Sequence, residues 1–157
     1  MPSKAMASRL LDVADTMLRE GSRSTAYRRR AISTVYYGLF HALAKLCADY
    51  VTRSMRRNAG EYARVYRALD HGTLKTAFGK DPLKDNKRLG RIGRIMVRLQ
   101  AERHKADYSP PVRGYPSFEE AQELIDLARE AVADLERIKP GEEDCRVLAL
   151  CILFKER

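Results

Sequence analysis

Several features that would decide the class of this protein at once are missing from its sequence. No apolar run reaches the roughly 20 residues that a membrane-spanning helix needs, and the first residues lack the apolar core of a signal peptide. We therefore expect a cytoplasmic protein without a membrane partner. There is no glycine-rich phosphate loop, no GxSxG motif and no HExxH motif, so three common kinds of nucleotide or catalytic site have no support.

Cysteine and histidine are scarce. The odd number of cysteines, together with the lack of an export signal, predicts reduced thiols; these residues are Cys47, Cys145 and Cys151. The histidines are scattered and show no paired Cys/His spacing of the kind that binds zinc; they are His41, His71 and His104. We therefore predict no metal site and no cofactor.

Positive charge, by contrast, is abundant and unevenly distributed. The net charge is +9 over 157 residues. Residues 1–114 hold 24 Lys/Arg and 10 Asp/Glu, whereas residues 115–157 hold 6 and 11. A local excess of this size attracts polyanions. It would equally attract an acidic protein partner or the acidic C-terminal part of a second copy of this chain.

Residues 31–51 predict the helix around which the chain is built. Their apolar side chains recur at steps of four and three, which keeps one helix face apolar; they are Ile32, Tyr36, Leu39, Leu43, Leu46 and Tyr50. Further apolar residues widen this face to more than half of the helix, as is usual at the centre of a bundle. Small residues such as Gly38 predict close approach by a neighbouring helix. The pattern therefore predicts an all-α fold.

Helix start and stop signals lie on both sides of a short turn near the N-terminus. Ser3 is a candidate N-cap for a first helix that ends at Gly21. Its inner stripe is expected to be Met6, Leu10, Val13 and Met17, with Leu11, Ala14 and Leu18 beside it. The central helix begins near Thr25, and the three arginines at 28–30 oppose the dipole at its start. Either a partner or solvent must compensate these cations.

Two further helices follow the central one. A near capping box at Asn58–Glu61 begins a third helix, which breaks near His71-Gly72 and ends at Gly79. Asp81-Pro82, with proline at the first helical position, begins a fourth helix over about Leu83–Asp107.

The C-terminal part of the chain contains a fifth helix and an apolar tail. The capping box Ser117–Glu120 begins this helix, and Pro140-Gly141 closes it. The tail Cys145–Phe154 is too apolar to be a loose end, and periodicity does not separate a buried strand from a sixth helix. We favour a short strand that pairs with its equivalent in a second copy. The predicted organisation is a bundle over 1–140 and an extension over 141–157, which packs on the bundle or on a second subunit.

The fourth helix has an arginine where its apolar pattern requires a core residue. The inner seam is Leu89, Ile92, Met96, Leu99 and Ala106. Between Leu99 and Ala106, the position at which this spacing requires an apolar residue is Arg103. A buried charge needs a partner; Asp107 lies one turn later, and Tyr36, Tyr37 and His41 are candidate neighbours. Such a cluster either locks two helices together or forms a partly open cationic pocket for a phosphate.

The opposite face of the same helix carries a basic row, namely Lys84, Lys87, Arg91, Arg94, Arg98 and Lys105. This row is either a solvated surface or a track for a nucleic-acid backbone, and it lacks the aromatic residues that stack on bases. His104 is either a solvated histidine or a general base. In the second case it would take a proton from a ribose 2′-hydroxyl while Arg103 or Arg98 holds the phosphate, without a metal.

Two stretches resemble HEPN domains. Residues 30–43, RAISTVYYGLFHAL, are similar to the central HEPN helix, which commonly reads A-x-S/T-x-x-Y-Y-A-x-F-H-A. Residues 103–108, RHKADY, are similar to the R-x-x-A-D-Y signature near the end of helix four in one branch of the superfamily. The resemblance covers about residues 5–138 and implies an up-and-down four-helix bundle with an additional helix. It implies that the site residues are Arg103, Asp107 and Tyr108, facing Tyr36, Tyr37, Phe40 and His41.

The resemblance also implies a function. Many HEPN proteins are metal-independent ribonucleases of toxin–antitoxin or defence systems, with a catalytic Arg followed by His after four to six residues. Counting from Arg103, Asp107 and Tyr108 stand where that histidine is expected; Arg98 and His104 fit the spacing, but Arg98 belongs to the basic row. The resemblance therefore implies a homodimeric module that binds RNA or a nucleotide, with a nucleotidyltransferase-type protein as a candidate partner. The alternatives are a metal-independent endoribonuclease toxin and a non-catalytic dimerisation scaffold.

Overall fold

A computed structural model of the chain describes residues 5–53 and 59–156. These residues form seven α-helices and no strand: α1 (Met6–Glu20), α2 (Thr25–Thr52), α3 (Ala59–Tyr66), α4 (His71–Phe78), α5 (Lys87–Tyr108), α6 (Phe118–Glu136) and α7 (Glu143–Leu153). The all-α prediction is confirmed. Within the described ranges no helix is long and apolar enough to span a bilayer. The caps predicted at Ser3 and Asn58 lie outside the described residues.

The described chain divides into two compact units. The first contains residues 5–41 and 95–132, and the second contains residues 42–53, 59–94 and 133–156. Three helices, α2, α5 and α6, contribute residues to both units.

Four helices pack in a ring in the first unit. Contacts join α1 to α2, α2 to α5, α5 to α6, and α6 back to α1. The contact pairs, in that order, are Leu11 with Gly38, Tyr36 with Arg103, Arg98 with Glu123, and Arg129 with Asp15. This ring agrees with a four-helix bundle. As predicted, Gly38 allows close approach, because a Cβ added there would lie 3.1 Å from Cδ2 of Leu11.

The buried face of α1 differs from the predicted one. The buried residues are Ala7, Leu11, Ala14 and Leu18. Met6 and Val13, two members of the predicted stripe, are exposed. The two stripes are adjacent and both are apolar. The buried stripe is the one that contains Leu11, whose side chain packs against Gly38 of α2.

The predicted inner seam of α5 is confirmed, since Leu89, Ile92, Met96, Leu99 and Ala106 are all buried. On α6 a face of the same periodicity is buried, namely Ala121, Leu124, Ala128, Ala131 and Leu135, and Ile138 just after the helix is buried too. The capping box of α6 also forms as predicted: the Ser117 N–H donates to Oε2 of Glu120 at 2.7 Å, and the Glu120 N–H donates to Oγ of Ser117 at 3.0 Å.

Local hydrogen bonds set the helix boundaries of the second unit. Asp70 caps α4 by accepting from the Thr73 N–H at 2.9 Å, and α4 ends at Gly79 as predicted. The predicted start of α5 at Pro82 is wrong, since residues 81–85 form turns. The Leu89 N–H donates to Oδ1 of Asn86 at 2.9 Å, so the asparagine caps a helix that begins at Lys87.

The apolar tail is a helix, and the strand predicted over Cys145–Phe154 is wrong. The buried residues of α7 recur with helical spacing: Cys145, Leu148, Ala149 and Ile152. The carboxylates of Glu143 and Asp144 lie in the first turn, where they complement the positive end of the helix dipole. One side of α7 packs against α4 in the same unit. All three cysteines carry free thiols.

We expect Gly93→Ala to destabilise the protein by about 1–3 kcal/mol, because the added methyl overpacks the core. A Cβ at Gly93 would lie 2.8 Å from Cγ of the buried Phe78 ring. Alanine in a helix would otherwise add about 1 kcal/mol of stability. Urea unfolding measures the change. The control is Gly141→Ala, where a Cβ meets nothing within 4 Å; equal midpoints for the two variants would contradict the prediction.

Candidate functional site

Arg103 lies in the first unit, with its guanidinium covered by aromatic rings of α2. Its side chain is 14% exposed. The guanidinium carbon is 5.2 Å from the ring centroid of Tyr36 and 5.9 Å from that of Tyr37, which is within the range of a cation–π interaction. Nη1 lies 3.6 Å from Oδ2 of Asp107, whose side chain is 20% exposed. The predicted meeting of Arg103 with Asp107 and the tyrosines is thus present in the structure.

The Arg103 guanidinium does not use all of its hydrogen-bonding capacity inside the cluster. Its Nε is buried and has no hydrogen-bond partner among the described residues. The 3.6 Å contact with Asp107 is longer than a hydrogen bond. Charge and ring contacts therefore hold this side chain more than directed hydrogen bonds do.

Ser33 holds the other end of the ion pair, and the sequence analysis missed it. Its Oγ donates to Oδ2 of Asp107 at 3.2 Å, and the residue is buried. Ser33 lies one turn before Tyr36 and Tyr37 on α2. Helical spacing therefore places it on the same side as the rings that cover Arg103, and that spacing is the signal that identifies it.

Burial determines the chemistry of Tyr36. The residue is fully buried, and this burial raises the pKa of its hydroxyl well above the usual value, although the nearby Arg103 charge opposes the rise. The Tyr37 ring packs edge-on against it at 5.3 Å between centroids. Tyr36 therefore stays protonated at neutral pH and cannot serve as a general base.

His41, another predicted binding residue, is half-buried near the end of the α2 segment in this unit. Its ring lies against that of Phe40, with 6.4 Å between centroids. Burial lowers the pKa of its imidazole, so the neutral ring is favoured in the folded protein.

Tyr108 and His104 form an exposed pair of tilted rings outside the buried cluster, with 49° between the ring planes. Their ring centroids are 5.0 Å apart. Tyr108 is 68% exposed, and His104 is exposed as well. The structure thus separates the predicted site into a covered part around Arg103 and an open part at the end of α5.

Arg98 belongs to the exposed basic row, as predicted, and is paired with α6. Its Nη1 donates to Oε1 of Glu123 at 3.0 Å, and its side chain is 48% exposed. This hydrogen bond raises the pKa of Arg98. Lys105 of the same row places its Nζ 3.9 Å from the ring centroid of Tyr115. These two members of the row are therefore engaged by their own chain.

The arginines at the start of α2 find partners that the sequence does not reveal. Arg29 donates from Nη1 to the carbonyl oxygen of Ser109 at 2.7 Å, and from Nη2 to that of Pro110 at 2.9 Å. Arg28 donates from Nε to the carbonyl oxygen of Pro116 at 2.6 Å. These cations thus neutralise the carbonyl end of α5 and the loop after it. Carbonyl oxygens of the same chain therefore compensate two of the three arginines, while Arg30 is exposed to solvent.

Two cations beside these contacts point outward. Arg30 is exposed. In the sequence of α2 it comes after Arg29, which contacts the end of α5, and before Ser33, which contacts Asp107. Arg113 is exposed in the loop that follows α5. Together with His104 and Tyr108 they define what we call the α5 rim.

The described residues contain no group of three His, Cys, Asp or Glu side chains that could hold a metal ion. Comparison of this chain with protein-family models, with curated proteins and with solved structures gave no match. The resemblance to HEPN domains therefore stays a prediction.

We expect Arg103→Ala to lower the free energy of unfolding by about 2 kcal/mol. The substitution leaves the Asp107 carboxylate without its cation and uncovers the Tyr36 ring; the loss is below that of a fully buried pair because both charges keep some contact with water. Arg98→Ala is the matched control and should cost less than about 1 kcal/mol, since its ion pair is exposed. Urea midpoints measure both, and an equal loss in the two variants would contradict the buried role of Arg103.

We expect part of the stability to disappear as the pH falls through about 6.5, the usual pKa of histidine, because of His41. Burial lowers its pKa in the folded state, so the unfolded chain binds the proton more readily and acid favours unfolding. Denaturant midpoints at pH 7.5 and pH 5.5 should therefore differ more in the wild type than in His41→Gln. The same difference in both proteins would show that His41 does not contribute.

Proposed function

We propose that this chain is a HEPN-like module that binds single-stranded RNA or a nucleotide at the α5 rim without cutting it. The observation that carries the proposal is the exposed ring of Tyr108, which lies against His104, the residue next to the covered Arg103. An exposed aromatic ring next to cations is the arrangement on which unpaired bases stack while phosphates meet positive charge. The basic row of α5 lacked aromatic residues; the rim at the end of the same helix supplies one.

The parts of the rim have different roles in this proposal. Tyr108 is the surface for a base, and His104 supports the tyrosine from one side. Arg30 and Arg113 are the cations free to meet phosphate. Arg103 is a positioning residue: with 14% exposure and rings over its guanidinium, it fixes the end of α5 against α2.

Two observations favour binding over cleavage. The endoribonuclease alternative needs an arginine that meets the phosphate next to His104. Arg98 already donates to Glu123, and Arg103 is largely covered. His104 itself is exposed, so the alternative remains a defined outcome of the experiment below.

The wider biological setting is part of the same proposal and comes from the HEPN resemblance. It comprises a cytoplasmic homodimer, a place in a toxin–antitoxin or defence system, and a nucleotidyltransferase-type protein as a partner. A dimerisation scaffold that binds no RNA is the remaining alternative.

The binding test uses a fluorescein-labelled single-stranded oligoribonucleotide and fluorescence anisotropy in EDTA. We expect Tyr108→Ala to weaken binding about fivefold or more, because stacking of one base contributes about 1–3 kcal/mol. Wild-type affinity should also fall steeply with salt, since phosphate contacts release counterions. The matched control is Phe154→Ala, an aromatic residue of similar exposure in the second unit.

The same reaction mixtures, run on denaturing gels, decide between the alternatives. Intact RNA with salt-sensitive binding that needs Tyr108 supports the module. Cleavage in EDTA that disappears in His104→Ala would replace it with the ribonuclease. No binding at all, or equal loss in the Tyr108 and Phe154 variants, would reject the α5 rim as a binding site.

A further inference from the structure

The first helix of the chain carries two apolar stripes, and the fold buries one of them. The buried stripe packs against α2 at Leu11. The other stripe lies beside it and stays in contact with water: Met6 is 43% exposed, Val13 is 44% exposed, and Leu10 and Met17 are partly exposed. We call these four residues the α1 stripe. A row of apolar side chains that remains open to water often marks a surface that binds another protein.

The spacing of the α1 stripe indicates that a helix covers it. Its members follow one another at steps of four, three and four residues, which is the seam along which two helices pack lengthwise. Within the first unit, α2 contacts α1 at Leu11, and α6 contacts it at Asp15. The C-terminal end of the stripe also approaches α2, where Oγ1 of Thr34 donates to the sulfur of Met17 at 4.0 Å. A further helix laid along α1 would complete the seam.

Two charges beside the stripe show which helix fits. Arg9 lies in the first half of α1 and Glu20 is its last residue; both are exposed, and neither has an ion pair among the described residues. They stand four residues before and seven residues after Val13, so helical spacing places both along the solvent side of the stripe.

This order of charges is complementary to itself when it is reversed. If a second α1 lies antiparallel to the first, the arginine of each copy approaches the glutamate of the other. A parallel partner would instead place like charges side by side. A contact between two identical surfaces around a two-fold axis requires this kind of self-complementarity.

Other classes of partner match the two charges less well. An anionic bilayer would attract Arg9 and repel Glu20, and a uniformly acidic or basic protein surface would likewise satisfy one charge and oppose the other. A second copy of α1 satisfies both charges and supplies the apolar seam as well.

We propose that the α1 stripe is the surface through which two copies of this chain associate, with their α1 helices antiparallel about a two-fold axis near the middle of the helix. Removal of the stripe from water drives the association, and the pairs of Arg9 with Glu20 set its direction. The inference rests on the homodimer of the proposed function and names the contact surface of that homodimer. It does not involve the α5 rim.

The first test is sedimentation velocity of the full-length protein over a wide range of concentrations. We expect a monomer–dimer equilibrium that Val13→Asp weakens about tenfold or more, because the substitution buries an unpaired charge in the seam. The matched control is Val51→Asp, which changes a valine of similar exposure (50%) on α2 in the second unit and should leave the dimerisation constant unchanged. Circular dichroism confirms that each variant is folded.

Exchange of the two charges tests the antiparallel arrangement. Arg9→Glu and Glu20→Arg should each weaken the dimer about threefold or more, because each turns two symmetry-related attractions into repulsions. The double variant restores opposite charges across the axis, so its dimerisation constant should return to within about twofold of the wild type. Rescue of this kind is not expected if the two residues act only within one chain.

The possible failures are distinguishable. A chain that stays monomeric at every concentration overturns both the homodimer and this surface, and leaves the α1 stripe to a helix of a different protein. A dimer that responds equally to Val13→Asp and Val51→Asp, or that the double variant does not rescue, overturns the proposed surface and leaves the homodimer in place. Loss of RNA binding in Tyr108→Ala has no bearing on any of these results.

Discussion

A largely covered guanidinium lies between α2 and α5 in the first unit, and its need for an opposite charge accounts for its neighbours. Arginine cannot lose its proton to escape burial, so the Arg103 charge must be balanced where it lies. Asp107 supplies the opposite charge, and Ser33 holds that carboxylate in place. Tyr36 and Tyr37 present their rings to the cation. Because one residue of a helix turns by about 100°, a shift of either helix by a single position would remove these contacts together. The cluster therefore fixes the register of the two helices.

The exposed ring pair at the end of α5 follows from the same geometry. Arg103 and Asp107 are four residues apart, so they lie on one face of the helix. His104 and Tyr108 are also four residues apart and follow them by one position, which rotates them together toward solvent. The buried ion pair and the open aromatic surface are thus two consequences of one stretch, and α5 cannot change the first without moving the second.

Much of this arrangement can be predicted from the sequence, because it follows from residues that lie close together in the chain. The seam of α5 and the inner face of α6 follow helical periodicity, and Arg103 stands out as a charge within that periodicity. The buried face of α1 could not be predicted in the same way. The face that contains Met6 and Val13 and the adjacent face that contains Leu11 and Leu18 are both apolar. The buried stripe is the one whose Leu11 packs against Gly38 of α2, and that contact is not local.

Other features depend on contacts that a single sequence does not show. The tail is apolar on both sides, which conceals its period, and packing of one side against α4 makes it a helix. The partners of Arg28 and Arg29 are backbone carbonyl groups, which every residue possesses and no motif marks. The buried hydroxyl of Thr73 has no hydrogen-bond partner among the described residues, and the sequence does not distinguish it from Thr76, whose hydroxyl has a partner.

The carbonyl contacts of Arg29 also determine which ions can approach the tip of α5. Without that side chain, the end of the helix would present unpaired carbonyl oxygens and a negative potential to the solvent around Tyr108. With it, a cation of the same chain offsets the negative pole, while Arg30 and Arg113 stay exposed to solvent. Arg29 thereby lowers the electrostatic repulsion of an anion at this end of α5 without contacting the anion.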